Sequence, residues 1–71
     1  MPERFKRGDR VEWNFRGHPV TGRVRRRLIE RTEVDGQVYN ASKDDPRYLV
    51  RSDKTGKEIA RRPGTLRRID P

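Results

Sequence analysis

Arg47-Tyr48-Leu49-Val50-Arg51-Ser52-Asp53-Lys54-Thr55-Gly56-Lys57-Glu58-Ile59-Ala60-Arg61 reads as a β-hairpin. The run Arg47 to Arg51 is a strand, and Glu58 to Arg61 is its return. Between them, Asp53-Lys54-Thr55-Gly56 has the composition of a type I turn closed by a left-handed glycine. Beyond the hairpin, Pro63-Gly64-Thr65 breaks the chain as a 3₁₀ turn, and Leu66 to Ile69 forms a last short strand. Before it, Ser42-Lys43-Asp44-Asp45-Pro46 is a turn, because Ser and Asp side chains bond nearby amides and Pro46 disfavours helix at Asp45. Earlier still, Asp35-Gly36 between Val34 and Val38 is the strongest short hairpin signal in the chain and is expected to extend the second and third strands.

The N-terminal half supplies two further strands. Gly8-Asp9 is a turn before Arg10-Val11-Glu12-Trp13, where Val11 and Trp13 share a face. Phe5, in the preceding arm, is expected to close one end of the core. After the turn-rich Asn14-Phe15-Arg16-Gly17-His18-Pro19, residues Val20 to Ile29 form a long strand. Strict alternation would put Val20, Gly22, Val24, Arg26 and Leu28 on one face, with Arg26 in the core, so a bend or bulge is predicted near Arg25 to Arg27. Gly22 inside this strand marks a close backbone approach. The sum is an all-β chain of five short strands, a closed or nearly closed barrel that leaves no sticky edges, spanning residues 1–71 as one domain.

Composition narrows what such a domain can do. Seventy-one residues with 28% hydrophobic and 42% charged content allow one small core. There is no cysteine, so no disulfide and no thiolate metal site is available, and a reducing, cytoplasmic setting is expected. Met1-Pro2-Glu3-Arg4-Phe5 lacks the apolar core of a signal peptide, and no stretch approaches a membrane span, so no membrane partner is expected. The formal net charge of +8, with a pI near 11.0, favours anionic partners. The charge is uneven: residues 1 to 30 hold nine Lys/Arg against four acids, 31 to 53 hold four against five, and 54 to 71 hold six against two.

The Gly8-Asp9-Arg10-Val11-Glu12-Trp13 segment followed by Gly22-Arg23-Val24 resembles the opening of Tudor, KOW and related SH3-like barrels. The run from Ala41 through Pro46, Arg47-Tyr48-Leu49-Val50-Arg51 and on to Glu58 resembles the hallmark of the small hypervirulence-associated Tudor-domain family. Together the two segments cover nearly the whole chain. The resemblance implies a five-stranded SH3-like or Tudor-like barrel, found as a stand-alone protein or as a module. Tudor domains hold methylated lysine or arginine in a cage of three or four aromatic residues. The aromatics available here are Trp13, Phe15, Tyr39 and Tyr48, which do not match a cage motif position by position, so that ligand is not carried over.

Lys6, Arg7, Arg16, Arg23, Arg25, Arg26 and Arg27 are the candidate phosphate-contacting residues, since guanidinium groups pair bidentately with phosphate oxygens. Weighed against this is a solvated face that keeps the chain soluble. Trp13, Phe15, Tyr39 and Tyr48 are the alternative, a surface for stacked bases or a cationic peptide; the bland reading makes Trp13 a core residue. His18 has no second nitrogen or sulfur donor, and Asp44-Asp45 before a proline caps a turn. No nucleophile with an orienting base is present, and no metal or cofactor is expected. The expectation is a non-catalytic module for DNA or RNA, with a peptide-binding Tudor-like domain as the second reading.

Overall fold

The computed structural model describes residues 4–69. Met1-Pro2-Glu3, part of the segment read above as lacking an apolar leader, lies outside the described residues. About half of the chain is strand, and the only helical element among the described residues is the 3₁₀ turn Pro63–Thr65. The strands are β1 (Arg10–Phe15), β2 (His18–Leu28), β3 (Thr32–Val34), β4 (Gln37–Tyr39), β5 (Arg47–Ser52), β6 (Glu58–Arg61) and β7 (Arg67–Arg68). Five of them form an antiparallel sheet in the order β6-β5-β2-β1-β7. The hairpin at Asp35-Gly36 forms, but as a separate two-stranded sheet, β3 with β4, instead of lengthening its neighbours.

Left-handed turns set the register. Arg16 and Gly17 (φ 52° and 81°) join β1 to β2, and Asp35 and Gly36 (φ 50° and 81°) join β3 to β4; positive φ at both central residues matches the right-handed twist of the strands they connect. The β1–β2 turn is thus only two residues long, and His18 and Pro19, expected in a loop, are the first residues of β2. Gly56, at φ 74°, closes the β5–β6 turn, with its N–H donating to Ser52 O and Ser52 N–H donating to Lys57 O. Ser42 and Asp45 close the expected turn through reciprocal backbone bonds, and Ser42 Oγ accepts from Asp45 N–H.

One face of the large sheet carries the main core: Val11 and Trp13 of β1, Val24 of β2, Tyr48 and Val50 of β5, with Phe5 and Leu66 closing it. The rings of Phe5 and Tyr48 meet edge to face at 5.3 Å, as expected of an arm residue plugging one end. The predicted bulge lies at Arg25: Val24 pairs with Val50, yet Arg26 pairs with Leu49. The extra residue inverts the alternation beyond it. Arg26 stays exposed, and Leu28 moves to the opposite face, where it joins Leu49 and Ala60 in a second cluster covered by Val34, Tyr39 and Ala41. The β3–β4 hairpin is therefore a lid over the outer face at one end, which is why it is not part of the main sheet.

A closed barrel would pair β6 with β7, and no such pairing exists among the described residues; both remain edges. The sheet nevertheless curls. Arg61 of β6 donates from Nη2 to the backbone carbonyl of Asn14 in β1, at 2.6 Å, although two strands lie between them in the sheet. The β6 edge is thus tied by a side chain to β1, the strand next to the other edge.

Candidate nucleic-acid interface

The turn Lys6 to Asp9 is built by Lys6 N–H donating to the Asp9 carboxylate and Asp9 N–H donating to Lys6 O. It docks on β2: Gly8 N–H donates to Val24 O, and Val24 N–H donates to Asp9 O. Those bonds end where the bulge begins. Arg7 of the turn and Arg25, Arg26 and Arg27 of the bulge consequently line one concavity of about 460 Å³, with Phe5, Val24, Leu49 and Glu58 completing its wall. Arg25 is paired with Glu58 at 3.4 Å. Arg7, Arg26 and Arg27 are exposed and make no ion pair among the described residues.

Four of the seven candidate phosphate contacts are thus brought together, with Lys6 on the same turn. Arg16 is not among them. It sits at the tip of the β1–β2 hairpin, separated from the bulge by most of the length of β2, with its guanidinium 5.3 Å above the Phe15 ring. Arg23 points to the outer face, between Arg10 and Arg51 on the neighbouring strands. Arg51 and Arg10 were not legible as site residues, because their placement beside Arg23 depends on pairings between distant segments.

The four aromatics do not share a surface. Tyr48 is 1% exposed, against Phe5 in the main core, and Tyr39 packs on the second cluster with its hydroxyl donating to Gln37 Oε1. Trp13 is a core residue, 3% exposed, whose rim reaches a groove of about 220 Å³ shared with the half-exposed Phe15, Val20 and Ile59. Ser52, Thr55 and Lys57 line the rest, so among the described residues the groove has no carboxylate to balance a cation. Asp44 and Asp45 are elsewhere, Asp45 paired with Arg62 at 3.6 Å. His18 is exposed opposite Phe15.

The family model of the hypervirulence associated proteins TUDOR domain matches residues 8–66. The chain belongs to this Tudor-domain family. No curated protein and no solved structure matches it. The matched span runs from the glycine of the docked turn to Leu66, so it takes in the bulge, the groove and every strand of this Tudor domain except β7. As a member of a family of small binding domains, it presents a partner-binding scaffold, and among the described residues no helix is long and apolar enough to cross a membrane.

Proposed function

We propose that this Tudor domain is a non-catalytic, cytoplasmic module that holds the phosphates of DNA or RNA through the arginines at the β2 bulge. The observation that carries this reading is the convergence of Arg7, Arg25, Arg26 and Arg27 on one concavity, with Glu58 the only carboxylate in its wall among the described residues. A +8 chain gains from counterion release when guanidinium groups neutralise phosphates, and that gain needs no base-specific contact. The curled sheet, with β6 tied to β1 by Arg61, is read as the Tudor-like barrel that carries this surface.

Fluorescence anisotropy with short single- and double-stranded DNA and RNA, titrated across salt, tests it. The expected result is a log-linear salt dependence whose slope shrinks by about 3 when Arg25, Arg26 and Arg27 are all replaced by Ala, about one per lost phosphate contact. An unchanged slope refutes the site. The second reading, a peptide-binding domain, is supported by the groove of Trp13, Phe15, Val20 and Ile59. Lys57 in its wall and Arg16 above Phe15 favour an apolar or acidic peptide side chain over a methylated cation. A peptide array separates the two.

A further inference from the structure

On the outer face of the large sheet, Arg10 of β1, Arg23 of β2 and Arg51 of β5 are direct cross-strand partners in one row, with Glu58 of β6 next in line. Like charges placed opposite one another in a sheet repel, so the row costs stability unless something compensates it. Two of the carboxylates on this face, Asp53 and Glu58, are already committed, while Glu12 of β1, diagonal to Arg23, makes no ion pair among the described residues. Asp53 accepts from Arg10 Nη2 at 3.3 Å and from Thr21 Oγ1 at 3.4 Å, and Glu58, although opposite Arg51, pairs with Arg25. Arg23 and Arg51, the two central members, make no ion pair among the described residues.

They line a concavity of about 330 Å³ with Arg25, Ser52, Asp53 and Gly56. Gly56 lies beside the Arg51 guanidinium: a Cβ there would stand 3.5 Å from Arg51 Nη2, an ordinary contact. Among the described residues lining this hollow, three arginines, Arg23, Arg25 and Arg51, face one carboxylate, Asp53, so it is net positive. We infer that Arg23 and Arg51 form a phosphate-binding site on the outer sheet face, held open by the flanking Arg10–Asp53 and Arg25–Glu58 pairs. A phosphate group bridging the two guanidiniums relieves the cross-strand repulsion and gains charge-assisted hydrogen bonds at once. That the phosphate comes from a nucleic-acid backbone rests on the function proposed above; the site itself does not.

The test is Nε–Hε correlation NMR of the full chain with inorganic phosphate at low ionic strength, followed by oligonucleotide titrations. Arg23 and Arg51 are expected to shift together and saturably, Arg31 to remain still, and Arg51→Gln to abolish the shift at Arg23. Equal drift at Arg31, no shift at Arg23 and Arg51, or an Arg23 titration that survives Arg51→Gln overturns the site. With oligonucleotides, Arg51→Gln is expected to reduce the salt slope by about 1. Oligonucleotide binding with an unaltered slope overturns the nucleic-acid backbone as the source of this phosphate and leaves the nucleic-acid reading at the bulge standing. Phosphate bound at Arg23 and Arg51 with no oligonucleotide binding supports the site and refutes that reading.

Discussion

The indole of Trp13 lies so close over Gly22 that a Cβ on the glycine would stand 2.7 Å from Cη2 of the ring and would also collide with the carbonyl oxygen of Arg51. Gly22 pairs with both Val11 and Ser52, at the centre of the sheet. The absence of a side chain there lets the single Trp of the chain fold onto the sheet and still leaves room for the β2–β5 ladder. Gly22→Ala should therefore destabilise the domain by about 2 kcal/mol or more, since neither a backbone carbonyl nor a packed ring can retreat cheaply. Gly64→Ala, with nothing within 4 Å, should not show this loss. Urea denaturation of both variants measures the difference.

The bulge separates the charge of Arg25 from its place in the ladder. Arg25→Ala removes only a half-exposed ion pair with Glu58 and should cost less than about 1 kcal/mol. Deleting Arg25 removes the extra residue and leaves Arg26 opposite Leu49 and Leu28 opposite Arg47, so that neither changes face and Leu28 stays in the cluster with Leu49 and Ala60. The deletion should leave unfolding cooperative, which thermal melts followed by circular dichroism would record.

Arg16 stands at φ 52°, a conformation that costs most side chains energy and that Asn tolerates. Arg16→Asn should raise stability, by on the order of 1 kcal/mol, and give the Asn-Gly pair that two-residue hairpins favour. A lower melting temperature would mean that the stacking of Arg16 on Phe15 outweighs the backbone strain.

Position separates Arg16 from the bulge arginines in binding too. Arg26→Ala and Arg27→Ala should each lower the salt slope of nucleic-acid binding by about 1, whereas Arg16→Ala, at the other end of β2, should leave it unchanged. Equal effects at all three positions would point to a diffuse positive field in place of a defined surface.

Local chemistry made much of this legible in advance. The glycines at 17, 36 and 56 all adopt positive φ in turns, and the Asp53 to Gly56 and Asp35-Gly36 hairpins and the 3₁₀ turn at Pro63 are where their residue types place them. The conflict between alternation and Arg26 announced the bulge, because a guanidinium cannot enter an apolar core unpaired. These are short-range constraints, written in the residues that obey them. What the hairpin at Asp35-Gly36 packs against was not written there. Three residues on each side define a turn, while its use as a lid depends on Leu28 having been turned to the outer face eight residues earlier.

The candidate sites divide along the same line. The sequence determined that the chain is all-β, basic and short of aromatics, and that its arginines cluster in β2. Only the tertiary structure decided which of them act together. Arg7 reaches Arg25 to Arg27 through the Gly8–Val24 backbone bond; Arg51 stands beside Arg23 through a pairing across 28 positions of chain; Tyr48 is spent in the core against Phe5. Strand pairing is a long-range choice among many geometrically similar registers, and here it is made by the burial of Trp13, Tyr48 and Val50 on one face. The exposed charges follow that choice and do not make it.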